Sequence, residues 1–125
     1  MTGIVIDSCG WISWLANDAR APLWEPTLRR SAEIVVPTVV LYEVVRWIRR
    51  EQSDSFALTA AAFLQQHEVA DLDGSVALLA AELGLTHRLA MADALVYAHA
   101  RVRDGTLWTS DAHFAGLPGV AMVGH

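Results

Sequence analysis

Asp7, Glu43, Asp93 and Asp111 are the residues of this chain best placed to do chemistry. Asp7 closes a predicted strand from Gly3 to Ile6, Glu43 lies within an amphipathic helix, Asp93 opens another helix, and Asp111 follows a predicted strand from Thr106 to Thr109. Each has an ordinary role when taken singly. Asp7 can cap the following helix, Glu43 can pair with Arg46 three residues on, and Asp93 suits the positive end of a helix dipole. Asp111 can serve a turn. The Glu43–Arg46 pair would contribute only about 0.2–0.5 kcal/mol. Drawn together, four unpaired carboxylates repel one another and raise each other's pKa unless a divalent cation supplies the missing charge. Hard oxygen donors favour Mg²⁺ or Mn²⁺. Such a site activates water and stabilises the transition state of phosphodiester hydrolysis, with one ion or with two about 4 Å apart. The flanking hydroxyls of Ser8, Thr109 and Ser110 either orient water or a phosphate or are plain turn residues.

The elements that must bring these acids together can be read from the hydrophobic pattern. Ile4-Val5-Ile6 is a short continuous apolar run, as expected of a parallel strand buried on both faces. Ser8 to Ala16 reads as a helix ended by the stretch through Asn17-Asp18 and Pro22, and a second helix covers Trp24 to Ala32. Glu33 to Val36 is strand-like and stops at Pro37, after which Thr38 is expected to cap a helix from Val39 to Gln52. Ser53-Asp54 starts a helix running to about Gln66, which forms a hairpin with its predecessor. Glu68 to Leu72 is a weaker strand, and Asp73 caps a helix that Gly84 is expected to end. Ala92 to Asp104 is a further helix with Asp93, Tyr97, Arg101 and Asp104 as its polar side. Thr106 to Thr109 and Val120 to Val123 are the last strands, with a short helical turn between them. This alternation predicts a three-layer α/β/α sandwich around a mainly parallel sheet, formed by residues 1–125 as a single domain. Ligands of such folds bind beyond the C-terminal ends of the strands, the edge to which Asp7 and Asp111 both belong.

Composition narrows the function classes. Nine arginines stand against 14 acids for a net charge of −5, and the chain contains no lysine, so each fixed cation is a guanidinium suited to bidentate phosphate contacts. Acidic balance ordinarily argues against nucleic acid. That argument weakens if four of the 14 acids hold metal, since the remaining ten nearly balance nine arginines. A hydrophobic fraction of 54% and five tryptophans imply apolar surface that meets a partner. No apolar run reaches the roughly 18 residues of a membrane span, and Met1-Thr2-Gly3 lacks the basic start of a signal peptide, so the chain reads as cytoplasmic. The single Cys9 excludes an internal disulfide and a CxxC motif, and reads as a small buried apolar residue.

The segments Val5-Ile6-Asp7-Ser8, Leu41-Tyr42-Glu43-Val44-Val45, Met91-Ala92-Asp93-Ala94-Leu95 and Trp108-Thr109-Ser110-Asp111-Ala112-His113-Phe114 resemble, in order and spacing, the four motifs of PIN-domain ribonucleases. In length the chain is similar to the VapC-type toxins of bacterial toxin–antitoxin pairs. The resemblance implies a metal-dependent endoribonuclease that cleaves structured RNA, such as tRNA or rRNA, and is restrained by a VapB-like antitoxin. It implies that Asp7, Glu43 and Asp93 are the core metal-binding acids, that Asp111 is the more variable fourth, and that Thr109 is the accompanying hydroxyl. It also implies a homodimer, with an antitoxin segment in a groove near the active site. The alternative is a catalytically weak PIN-like module that binds RNA or protein while its acids act only as caps.

Arg29-Arg30 and Arg46 with Arg49-Arg50 are candidate phosphate clamps, and Arg88 and Arg101 are candidates for the border of the acid pocket. Trp11, Trp14 and Trp47 either stack on bases or line a groove, with core packing expected for at least two. His67, His87, His99, His113 and His125 form no HxxxH or HxH pair, which leaves a zinc hydrolase poorly supported. Of these only His113 stands near the proposed site, where it reads mainly as a turn residue.

Overall fold

A computed structural model describes residues 3–124, so His125 and the first two residues of the Met1-Thr2-Gly3 start lie outside the described residues. Five strands, β1 (Ile4–Ile6), β2 (Ile34–Pro37), β3 (Glu68–Ala70), β4 (Thr106–Thr109) and β5 (Val120–Met122), form one sheet in the order β3-β2-β1-β4-β5. Each neighbouring pair is parallel. The helices are α1 (Ser8–Leu15), α2 (Ala21–Leu28), α3 (Thr38–Glu51), α4 (Asp54–Leu64), α5 (Gly74–His87) and α6 (Met91–Val102). Every residue of β1 and β2 is buried, as a continuous apolar run requires when helices cover both faces. The result is the expected α/β/α sandwich.

Topology fixes where a site can form. The chain builds outward from β1 to β2 and β3 on one side, then returns to place β4 and β5 on the other. The direction of winding therefore reverses between β1 and β4, and the crevice beyond their C-terminal ends is the place where such sheets bind ligands. Ile6 and Trp108 are partners in register there, and the Asp7 N–H extends the pairing by donating to the Trp108 carbonyl at 3.0 Å.

Several boundaries differ from those expected, each for a local reason. Helix α2 covers Ala21–Leu28 rather than Trp24 to Ala32, because Pro22 lies in its first turn, where a missing N–H costs nothing, instead of ending the previous segment. Ser31–Glu33 forms a 3₁₀ turn, so β2 begins at Ile34. Pro37 belongs to β2 and occupies the N-cap position of α3, which makes Thr38 the first helical residue and not its cap. Gly84 does not end α5. The helix runs on to His87 and Arg88 takes the left-handed conformation at φ 57°, while a side chain at Gly84 would stand 3.3 Å from the Ala94 methyl of α6. The glycine serves close helix packing. Tyr97 is not on a polar face either: it is 1% exposed and donates its hydroxyl to the Pro118 carbonyl at 2.6 Å.

The core joins β1 and β2 to Trp11, Trp24, Val40, Val44, Ile48, Leu64 and Phe114. Trp11 is fully buried and Trp47 packs partly buried against this core, whereas Trp14 stacks on Phe63 and lines a groove of about 690 Å³ with Glu25, Leu28, Arg29 and His67. At Gly10 a side chain would approach the Trp24 ring to 2.6 Å, so α1 lies on α2 only because that position is bare. Among the described residues no helix is long and apolar enough to cross a membrane.

Candidate metal centre

Asp7 is the N-cap of α1, with extended backbone (φ −61°, ψ 155°) and a carboxylate that accepts from the Ser8 N–H at 2.8 Å. Its capping role is therefore real, but it is one role of two. The Thr109 hydroxyl at the end of β4 donates to Asp7 Oδ2 at 2.8 Å, and the same hydroxyl accepts from the Asp111 N–H at 3.0 Å. Thr109 is wholly buried, so a single side chain ties the end of β1 to the loop after β4. The partly buried thiol of Cys9 departs from the apolar role expected of it: it donates to Asp7 Oδ2 at 3.6 Å and accepts from Ser110 at 3.3 Å, so it belongs to the polar rim of the site.

Asp93 enters from α6. The residue before that helix, Ala90, provides no side-chain cap, and Asp93 supplies the negative charge of the first turn. Glu43 enters from α3. It is half-buried and responds to Asp7, Ser8 and Asp93, and among the described residues it forms no ion pair with Arg46. The ordinary helical pair expected from the sequence does not form. Asp111 caps the 3₁₀ turn Ala112–Phe114 and accepts from both the His113 N–H, at 2.9 Å, and His113 Nδ1, at 2.8 Å, through the same Oδ1.

The electrostatics follow from this crowding. Burial raises the pKa of Asp7 most, and nearby Asp111 adds to it, against the opposing hydrogen bonds from Thr109 and Ser8. Burial and then the charge of Asp7 raise Glu43, with Asp93 contributing, while the Ser8 hydroxyl opposes. Asp93 is raised by burial, then by Asp7 and Asp111, with His113 pulling the other way. Among the described residues no arginine forms an ion pair with any of the three. One oxygen each of Asp93 and Asp111 and one ring nitrogen of His113 lie within 4.8 Å of one another, a spacing that a single cation can span. His113 is the turn residue the sequence suggested, and the turn that Asp111 caps also brings its ring beside these two acids.

Four of the candidate arginines hold nearby acids instead of facing the site: Arg29 with Glu25 and Arg30 with Glu33 at 2.9 Å, Arg49 with Asp54 at 3.3 Å, and Arg50 with Glu51 at 2.8 Å. Such exposed pairs contribute little to stability and are screened by salt. Arg29 and Arg30 precede β2 and so stand at the opposite edge of the sheet from the acids. Arg101 is likewise at the far end of α6 from Asp93. Arg46, one helical turn beyond Glu43 and exposed, borders a groove of about 360 Å³ with Thr38, Leu41 and Tyr42.

The sequence pattern of the PIN domain matches residues 4–120. The chain belongs to the PIN-domain family. Solved structures with the PIN fold of this chain include a toxin–antitoxin complex from Klebsiella pneumoniae, at 18% identity and TM-score 0.81 over 96% of this chain and 97% of that one. VapC20 of Mycobacterium tuberculosis, described as a sarcin–ricin-loop-cleaving toxin, is similar at 19% identity and TM-score 0.80, over 97% and 99% of the two chains. The DNA-bound VapBC of Salmonella typhimurium is similar at 19% identity and TM-score 0.76, over 98% and 97%. No protein of curated function matches this PIN chain.

Because Asp7, Glu43 and Asp93 have pKa values above those of the unfolded chain, they contribute stability that is complete below the ordinary carboxylate pKa. That stability is lost as pH rises through their raised folded values. Metal-free protein should therefore lose thermal stability between about pH 4 and neutrality relative to an Asp93→Asn variant. Asp18, held below its ordinary value mainly by the Ser13 hydroxyl, works in the opposite sense, which is why the variant is the proper reference. Melting curves in EDTA across this range would measure the difference, and parallel curves for the two proteins would contradict the repulsion.

Proposed function

We propose that this PIN domain is a metal-dependent endoribonuclease that cleaves structured RNA, tRNA or rRNA, as the toxin of a toxin–antitoxin pair. The observation that carries the reading is the meeting of Asp7, Glu43, Asp93 and Asp111, from four separate elements, at the C-terminal ends of β1 and β4, with no arginine paired to any of them among the described residues. A fold gains nothing from such repulsion unless a ligand relieves it. The donor set fits Mg²⁺ or Mn²⁺: carboxylate oxygens predominate, and burial followed by mutual repulsion raises the pKa values of Asp7, Glu43 and Asp93. When bound, the ion would supply Lewis-acid stabilisation of charge on the scissile phosphate and a lowered pKa for water.

The remaining functions fall to the chain. Asp7, Glu43, Asp93 and Asp111 would hold the cation, with Asp7 fixed by Ser8 and Thr109. Thr109 keeps Asp7 and Asp111 in mutual register, and Ser8, hydrogen-bonded to Glu43, sets the angle of that carboxylate. Arg46 is the guanidinium we assign first to the RNA backbone, with Arg49 and Arg50 further along the same helix; Arg29 and Arg30 would reach only an RNA that extends around the sheet edge. The similarity to VapBC complexes supports a VapB-like antitoxin as partner, and the exposed Leu78, Leu85 and Met91 supply apolar surface for a protein partner or for a homodimer.

Purified protein, shown to be free of antitoxin, should cut bacterial total RNA into discrete fragments in Mn²⁺ or Mg²⁺ and not in EDTA. Mapping the fragment ends would identify the target. Absence of cleavage under all three conditions would overturn the nuclease reading and leave a binding module.

A further inference from the structure

We propose that His113 is a nitrogen ligand of the cation held by Asp93 and Asp111, and that it tilts this site towards Mn²⁺ and related transition ions over Mg²⁺. The inference rests on the reading above that these acids bind a divalent cation. Its own basis is geometric. Donor atoms on opposite sides of an ion with bonds of about 2.0–2.2 Å stand a little over 4 Å apart, and adjacent donors about 3 Å apart. One oxygen of Asp93, one of Asp111 and one ring nitrogen of His113 fall within 4.8 Å of one another, so all three fit around a single ion with at most a small closing movement.

The imidazole is held in place although its side chain is 80% exposed. Its backbone N–H and its Nδ1 both bond Asp111 Oδ1, at 2.9 and 2.8 Å. The next residue, Phe114, is fully buried and anchors the 3₁₀ turn in the core. The turn thus holds the imidazole beside a carboxylate with which it can share a cation. Asp7 Oδ2, the Thr109 hydroxyl and Cys9 Sγ are engaged with one another at this corner, whereas His113 is engaged with Asp111, one of the proposed ligands. Asp7 and Glu43 stand outside the 4.8 Å cluster, on the α1 and α3 side of the crevice.

The chemical consequence is selectivity. Mg²⁺ demands oxygen donors and keeps its waters, while imidazole nitrogen is a good donor to first-row transition ions. A site with one nitrogen among its carboxylates therefore discriminates where an all-oxygen site does not.

The test is cation binding, independent of cleavage. Mn²⁺ affinity by electron paramagnetic resonance titration and Mg²⁺ affinity by calorimetry would be measured for the wild type, His113→Ala, His113→Gln and Asp93→Asn. His113→Ala should lose about tenfold in Mn²⁺ affinity, the lower end of what is lost when a group supporting a metal site is removed, and keep its Mg²⁺ affinity. Pulsed resonance spectra of bound Mn²⁺ should show a nitrogen coupling in the wild type that both His113 variants lack. The glutamine variant keeps a side-chain donor for Asp111, so recovery of wild-type Mn²⁺ affinity in it would show that His113 only props Asp111 and would overturn the proposal. Equal Mn²⁺ affinity in His113→Ala, with binding still abolished by Asp93→Asn, would overturn it while leaving the metal-centre reading intact. Failure of the wild type to bind either cation would overturn both.

Discussion

Asp93→Asn will abolish RNA cleavage and, in the absence of metal, will raise the thermal stability of the protein. Asparagine has the size of aspartate and can stay in the first turn of α6, so the fold has no reason to change. Loss of the charge forfeits a favourable interaction with the helix dipole worth about 0.3–1 kcal/mol. Against this, it removes repulsion from Asp7 and Asp111. After solvent screening, repulsion between partly exposed carboxylates is on the order of 1 kcal/mol for each partner. With two partners repulsion outweighs the dipole, and a net gain of about 1 kcal/mol corresponds to a rise of about 3–5 °C in melting temperature.

Metal should reverse the order. A cation at 100 times its Kd stabilises the wild type by about 2.7 kcal/mol, and the variant, lacking a ligand between the two halves of the cluster, should gain little. Cleavage should fall by more than the 10–100-fold typical of residues that merely support a metal site. Melting curves with and without Mn²⁺, beside a cleavage assay, would register all three effects. Full cleavage by Asp93→Asn, with its melting temperature unchanged in EDTA, would remove the metal centre from this account.

The fold, and the sheet edge at which Asp7 and Asp111 stand, were legible in the sequence for a shared reason. Continuous apolar runs such as Ile4-Val5-Ile6 and Ile34-Val35-Val36 admit a strand buried on both faces, and a carboxylate just after such a run must emerge at the C-terminal edge of the sheet. Asp7 and Asp111 could be placed by that logic alone. Residues with two uses were not legible. Pro22 begins a helix as readily as it ends one, and Gly84 permits close helix contact as readily as a left-handed cap. Tyr97 has a polar atom that reads as exposed until the Pro118 carbonyl is found to accept from it. Glu43 and His113 mark the same limit at the site itself. Whether Glu43 turns to Arg46 or to Asp7 depends on how α3 lies against α1, and the position of the His113 ring depends on a turn that its own partner caps. Both are facts of tertiary geometry, which helical spacing cannot supply.

The same geometry makes Thr109 more consequential than a flanking hydroxyl. Thr109→Val keeps the shape of a buried side chain and removes the one oxygen through which the Asp111 N–H and the Asp7 carboxylate are joined. Leaving such buried groups unpaired costs about 1–3 kcal/mol, so the variant should melt lower, although it is isosteric. Activity should fall by about 10–100-fold, the range for residues that orient metal ligands. The loss has a signature that simple destabilisation lacks. The Thr109 hydrogen bond is the main influence holding the pKa of Asp7 down against burial, so without it Asp7 keeps its proton to higher pH. A protonated carboxylate is a poor ligand, and the acidic limb of the cleavage profile should therefore move to higher pH in Thr109→Val, with part of the activity recovered there. Thr109→Ser restores the oxygen and should restore both the profile and most of the rate. A valine variant that cleaves with the wild-type rate and profile would mean that Asp7 is positioned by its helix cap alone. The buried hydroxyl would then be no more than a link between β1 and β4.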